Sequence, residues 1–125
     1  MSHILIIDDD AEVRKLLSVA LTREGYEVKT ASNGKEWLKM LHGSIVDLVI
    51  TDLIMPEIEG LELIKRLHYQ RPDLKIIALS GGSCSDPRID LSMAQYLGAH
   101  RTFVKPFELQ DLLGAVQDMI GPGIP

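Results

Sequence analysis

The chain is short of cysteine, of basic excess and of long apolar runs, and each shortage removes a class of function. One cysteine, Cys84, stands among 125 residues, so no internal disulfide can form and no thiolate metal centre has its ligands at the required spacing. A zinc site is not expected. Lys and Arg number 13 against 18 Asp and Glu, a formal charge of −5, which leaves no clustered positive face for neutralising phosphates. Direct nucleic-acid binding is not expected either. Although 46% of the residues are hydrophobic, no run approaches the roughly 18 apolar residues that a membrane helix needs, and no basic segment leads into a long apolar stretch at the N-terminus. The expectation is a cytoplasmic protein without membrane insertion. Gly-x-Gly-x-x-Gly and Gly-Lys-Ser/Thr loops are missing, as are solenoid repeats and low-complexity blocks. The four histidines, His3, His42, His68 and His100, are scattered without a helical ligand pair, so none is a metal or phosphotransfer candidate.

What is present is alternation. Short apolar runs take turns with helical patterns along nearly the whole chain, the signature of repeated βαβ units and a parallel sheet. Strands are expected at 3–8, 26–31, 46–52, 75–80 and 101–104. The first, third and fourth read as continuous Ile, Leu and Val because both faces of a central parallel strand are covered by helices. The first helix shows Val13, Leu16, Leu17, Ala20 and Leu21 on one stripe, with Asp10 as N-cap and Gly25 just past the end. A second begins at Asn33, where Glu36 can reach back from the third position, and ends near Gly43; it carries the only tryptophan, Trp37. A third runs from about Gly60 to Tyr69, and the last from about Glu108 to Ile120 with Leu109, Leu112, Leu113, Val116 and Ile120 on one stripe. Between them, Gly81 to Pro87 reads as a mobile loop before a short helix near 90–97. The whole forms one domain over 1–121 with a breaker-rich tail at 122–125. Right-handed crossovers favour a doubly wound α/β sheet with helices on both faces.

The chemistry concentrates at strand ends. Asp8, Asp9 and Asp10 follow the first run and Asp52 follows the third. If those strands are parallel neighbours, Asp8, Asp9 and Asp52 share a pocket at the carboxyl edge of the sheet, where open α/β folds bind ligands. Two unit charges about 4 Å apart repel by roughly 4 kcal/mol at an effective dielectric near 20, so such a pocket takes up protons or a cation. Hard oxygen ligands with open positions suit Mg²⁺, with Mn²⁺ as an alternative, and Mg²⁺ commonly also binds phosphate. Ser80 ends the fourth run and Lys105-Pro106-Phe107 follows the fifth. A carboxylate can act as nucleophile towards phosphorus, and transfer then needs a metal, a cation and hydrogen-bond donors around the phosphoryl oxygens. Asp9 and Asp52 supply metal ligands, Lys105 the cation and Ser80 a hydroxyl.

These motifs, Ile6-Ile7-Asp8-Asp9-Asp10, Asp52-Leu53-Ile54-Met55-Pro56 with Gly60, Ala78-Leu79-Ser80-Gly81, and Gly98-Ala99 before Lys105-Pro106-Phe107, resemble the receiver domain of two-component response regulators over essentially the whole chain. The resemblance implies a flavodoxin-like sheet of strand order 2-1-3-4-5. It implies that Asp52 accepts a phosphoryl group from a sensor histidine kinase or phosphotransfer protein, at most with self-catalysed transfer and autodephosphorylation and no metabolite turnover. Asp9 would bind Mg²⁺ directly, Asp8 would assist partly through water, and the Ile54 backbone carbonyl would complete the protein ligands. Lys105 would pair with the phosphoryl group or, before phosphorylation, with Asp52, and the Lys105–Pro106 peptide would be cis. The family switch couples the hydroxyl at Ser80 to an aromatic three residues before the lysine, and here that residue is Thr102. Phe103 alternates to the opposite face and belongs to the core. The 81–89 loop also looks longer than is common. Ile54 and Gly82, two residues beyond Asp52 and Ser80, offer no polar group to steer water, which predicts a phosphoryl group that is not short-lived. The chain is expected to stand alone, its output passing to an unidentified protein partner or its phosphate being relayed onward, and the family also admits a homodimer through the last two helices and fifth strand.

Plainer readings stand beside these. Carboxylates at strand ends can be merely solvated, Asp10 is a helix cap, and an isolated Lys105 or Ser80 would be a surface or turn residue; the combination reverses each. Trp37 and Met40 serve packing, and Cys84 carries no redox assignment because no lowered thiol pKa can be argued. Leu91, Met93, Ala94, Tyr96 and Leu97 form a candidate partner face shared with core packing. Two rivals remain: a Mg²⁺-dependent aspartyl-phosphate phosphatase or phosphotransferase, which lacks the expected Thr or Val after its second aspartate and a cap domain, and a degenerate receiver acting only as a binding module.

Overall fold

The computed structural model describes residues 2–33, 45–53, 60–80, 92 and 94–123. The β-branched and leucine-rich runs form five strands, β1 (His3–Ile7), β2 (Glu27–Ala31), β3 (Leu48–Asp52), β4 (Lys75–Ser80) and β5 (Arg101–Val104). All pair in parallel in the order β2-β1-β3-β4-β5, the expected doubly wound arrangement. Three helices are described in full: α1 (Ala11–Arg23), α2 (Gly60–Gln70) and α3 (Leu109–Ile120). Residues 92 and 94–97 are also helical, within the short helix expected near 90–97.

Period-2 alternation divides the core between two faces. Leu5, Ile7, Val49, Ile76 and Ala78 meet Leu63, Ile64 and Leu67 of α2 together with Ala94 and Ala99. Ile4, Ile6, Leu48, Ile50, Ile77 and Leu79 meet Leu17 and Leu21 of α1 and Leu112 and Val116 of α3. The central strands are therefore apolar along their middles, Ile4–Ile7, Leu48–Ile50 and Ile76–Leu79, and each fully buried Leu or Ile contributes about 1.5–3 kcal/mol. A charge at Ile6 or Ile50 would have no solvent to retreat to. Phe103 packs on the α1 and α3 side, tilted against Phe107, as alternation predicts.

Boundaries depart from the sequence expectation where other hydrogen bonds compete with the ladder. Tyr26 N–H still donates to the Leu21 carbonyl of α1, so β2 starts one residue later than expected. The Asp47 carboxylate accepts the His3 N–H at 2.7 Å, and β3 starts at Leu48 rather than 46. Asp8 leaves β1 because its carboxylate accepts the Asp10 N–H at 2.9 Å, turning the chain towards α1. The Asp10 side chain accepts from Glu12 N–H, the expected N-cap. Leu16 does not join the core. It is 52% exposed, as Val19 is 43%, because the seat of α1 on the sheet is narrower than its apolar stripe. After α3, Tyr26 Oη donates to the Gly121 carbonyl at 2.6 Å, and a Cβ at Gly123 would fall 2.6 Å from the Glu24 carbonyl oxygen. Only glycine lets the backbone lie that close to the α1–β2 turn. The second helix with Trp37 and Met40, the 81–89 loop with Cys84, and Leu91 and Met93 lie outside the described residues.

Candidate functional site

β1 and β3 are neighbours while β2 lies on the other side of β1. The connection reverses there, which opens a crevice beyond the carboxyl ends of β1 and β3. Asp8 and Asp9 come from the end of β1 and Asp52 from the end of β3, and one oxygen of each carboxylate lies within 4.8 Å of the others. It is the one cluster of this kind among the described residues. Asp8 is fully buried, Asp52 nearly so, and Asp9 is exposed.

The lysine after β5 closes the pocket. Lys105 Nζ donates to Asp8 Oδ2 at 2.8 Å and to Asp52 Oδ2 at 3.3 Å, so one cation bridges carboxylates from two strands. Its backbone N–H donates to the Ser80 carbonyl at 2.6 Å, tying the ends of β4 and β5 together. The Lys105–Pro106 peptide is cis. Burial by itself lowers the pKa of the ammonium, but the Asp8 hydrogen bond and the charges of Asp52 and Asp8 outweigh it and raise the pKa above 10.5. Lys105 is a fixed positive charge at neutral pH.

Asp8 is tethered at both oxygens, with a lone pair left on each. Its Oδ1 accepts the Asp10 N–H and its Oδ2 accepts Lys105, whereas the exposed Asp9 projects from the turn between them. Ser80 is fully buried, and its hydroxyl has no hydrogen-bond partner among the described residues. A buried orphan hydroxyl costs about 1–3 kcal/mol, a reason to expect it to serve another state of the site. Register sets Thr102 opposite Ala78 and Val104 opposite Ser80, so Thr102 shares the face of Ser80 and is half-buried. Ile54 and Gly82 lie outside the described residues.

Two features escaped the sequence reading. Arg14 Nη1 donates to the Asp8 carbonyl at 2.7 Å. The signal was legible in principle, because helical side chains lean towards the N-terminus and a cation one turn into α1 can reach back over the acidic turn. His68 and His100, which looked scattered, meet at one corner. His100 Nδ1 accepts the Ile76 N–H at 3.2 Å, and the His68 ring lies against Gly98, whose φ of +135° and missing Cβ make room for it. Burial, Lys75 and His68 lower the His100 pKa below 6.5.

The chain matches the response regulator receiver domain family over residues 4–117 and belongs to it. Its class is that of phosphorylation-activated signalling switches of two-component systems. Among relatives, the response regulator receiver protein CpdR of Brucella abortus (strain 2308) is 32% identical, covering 96% of this chain and 98% of that protein. The DNA-binding transcriptional regulator NtrC of Azospirillum brasilense is 37% identical over 98% of this chain, which spans only 25% of that protein's length. In structure, the chain resembles response regulator TrrA of Thermotoga maritima, solved in complex with Mg(2+)-BeF, with TM-score 0.83, 38% identity, and coverage of 96% and 100% of the two chains. It also resembles a CheY-like receiver domain protein of Methanospirillum hungatei JF-1, with TM-score 0.86, 30% identity, and coverage of 94% and 92%.

Proposed function

We propose that Asp52 is the phosphoacceptor of this receiver domain and that its donor is the phosphohistidine of a sensor histidine kinase or phosphotransfer protein. The observation that carries the reading is the Lys105 bridge between Asp8 and Asp52 beside the exposed Asp9. It supplies a nucleophile, a cation and a set of hard oxygen donors in one crevice. Asp52 attacks phosphorus, the bond to the histidine nitrogen breaks, and the product is an aspartyl phosphate. Asp9 and Asp52 would hold Mg²⁺, with Asp8, whose oxygens each already accept one hydrogen bond, assisting partly through water. Bound there, the ion would neutralise charge on the transferring oxygens. The Ile54 carbonyl is the further ligand that the family resemblance supplies.

Phosphorylation adds negative charge at the end of β3. Lys105 then exchanges a carboxylate for a phosphoryl partner, and the buried Ser80 hydroxyl, without a partner among the described residues, gains an acceptor. Thr102, on the same face, is the neighbour through which that movement reaches the surface of β5. The output is altered affinity for a protein partner. A depression of about 400 Å³ on α1 and the start of α3, lined by Leu16, Val19, Ala20 and Leu109 together with Glu12, Lys15 and Arg23, is a candidate docking surface for the donor protein.

The test is incubation with Mg²⁺ and acetyl phosphate or beryllofluoride, followed by mass and spectral change. A single acyl-phosphate adduct that disappears in Asp52→Asn is expected. An adduct that survives Asp52→Asn and vanishes in Asp8→Asn would assign the chain to aspartyl-phosphate phosphatase chemistry. No metal-dependent response would make it a degenerate binding module.

A further inference from the structure

We propose that Arg14 is a positioning residue for the metal site, acting through the peptide that joins Asp8 to Asp9; this rests on reading the acidic cluster as a Mg²⁺ site. The Asp8 carbonyl belongs to that peptide, and its orientation sets the ψ of Asp8 and the φ of Asp9 together. It therefore sets the direction in which the Asp9 carboxylate leaves the backbone. Arg14 Nη1 holds this carbonyl at 2.7 Å. The backbone N–H of the same residue donates to the Asp10 carbonyl at 3.1 Å, closing the first turn of α1. One residue thus grips the acidic turn on both sides of Asp9. The remaining anchor is the Asp8 carboxylate itself, which accepts the Asp10 N–H at 2.9 Å. Asp9 is exposed, so it lacks the surrounding packing that would otherwise fix its direction, and the peptide plane is what keeps its oxygen within 4.8 Å of those of Asp8 and Asp52.

Arginine suits the task. Its guanidinium stays charged and presents donors in a rigid plane, so little freedom is lost per hydrogen bond. Its charge carries an opposite consequence, because a cation close to the cluster repels a divalent ion. Positioning and charge predict opposite signs when the side chain is removed. If Arg14 positions Asp9, Arg14→Ala weakens Mg²⁺ binding; if it acts only as charge, the same change strengthens it.

The experiment is calorimetric titration of MgCl₂ into the full chain, without phosphodonor, for the wild type, Asp9→Asn, Arg14→Ala and Arg14→Lys. Urea unfolding of each in metal-free buffer accompanies it, so that affinity is compared among folded proteins. Outer-shell partners of metal ligands typically account for 10–100-fold in affinity. Arg14→Ala is expected to lose roughly tenfold, and Arg14→Lys, which can still reach the carbonyl with one donor, to recover part of that loss. Should Arg14→Ala fail to fold, Arg14→Lys carries the test, with affinity reduced at equal charge. A wild type that binds Mg²⁺ through Asp9 while neither variant loses affinity overturns the positioning role alone. A wild type without Mg²⁺ binding, or binding unaffected by Asp9→Asn, overturns the metal site and this role with it.

Discussion

Replacing Lys105 by methionine keeps the length and volume of the stem and removes the charge that spans two strands. At 2.8 and 3.3 Å from the Asp8 and Asp52 oxygens, the ammonium gains gross attractions of about 6 and 5 kcal/mol at an effective dielectric of 20. Most of this is offset by taking a lysine and two carboxylates out of water, several kcal/mol per ion. The cost of removing the cation is larger than the net worth of the bridge, because the carboxylates stay behind. Their oxygens lie within 4.8 Å of one another, where each ionised pair repels by at least about 3.5 kcal/mol on the same dielectric. Stranding buried charges in this way costs about 3–5 kcal/mol, and the lysine is 22% exposed, which places the expected loss near about 3 kcal/mol. For a domain of this length that is a fall in Tm of roughly 10 °C. The assay is thermal and urea unfolding at neutral pH in metal-free buffer, repeated with Mg²⁺. The divalent ion stabilises whichever folded protein binds it, by about 2.7 kcal/mol at a hundredfold excess over Kd. It should bind the variant more tightly, because no ammonium repels it there, so the gap to wild type should narrow. Asp52→Asn in the Lys105→Met background should recover part of the loss, with a coupling of at least about 1 kcal/mol. A Lys105→Met protein as stable as wild type without metal, or a gap indifferent to Mg²⁺, would refute the electrostatic account of the pocket.

Two further perturbations test the flanks of the site. Ser80→Ala deletes a buried hydroxyl that has no partner among the described residues, so urea unfolding should show stability unchanged or raised by up to about 1 kcal/mol. The amide shifts that Mg²⁺ and beryllofluoride induce around Thr102 should shrink in that variant; undiminished shifts would remove Ser80 from the switch. His100 is neutral where its Nδ1 accepts the Ile76 N–H, and burial, with Lys75 and His68 beside it, holds its pKa below 6.5. The unfolded chain therefore binds the proton more readily, so the contribution is complete above pH 6.5 and lost as pH falls through the lower folded value. Solvent screening at this exposed ring limits the slope to roughly a few tenths of a kcal/mol per pH unit. His100→Asn should flatten stability against pH in that window, and an unaltered slope would show that another group titrates.

The fold was legible because parallel central strands leave a plain trace. Ile4 to Ile7 and Leu48 to Ile50 are apolar without interruption only where helices cover both faces, and Asp10 announced the start of α1 by its capping chemistry. Strand ends were less legible, since the competitors were contacts distant in sequence. His3 N–H turns to Asp47, 44 residues away, and nothing local to either residue reveals it. Leu16 fits the helical period as well as Leu17 does, yet only Leu17 is covered, because the width of the sheet beneath α1 is not written in the helix.

The site divides along the same line. The residue types and their order established by themselves that carboxylates end two strands, that a hydroxyl ends a third and that a lysine precedes a proline after the fifth. The family match over residues 4–117 spans all of these positions. Which oxygen meets which donor was decided only by the tertiary structure. Asp8, the deepest of the carboxylates, is held by Asp10 and Lys105, while Asp9 stands exposed. Arg14 and the corner of His68 and His100 became visible in the same way. Period and composition follow from local backbone geometry and burial, and therefore survive in a string of letters. Hydrogen-bond partners depend on where parallel strands stop relative to one another, a property of the assembled sheet.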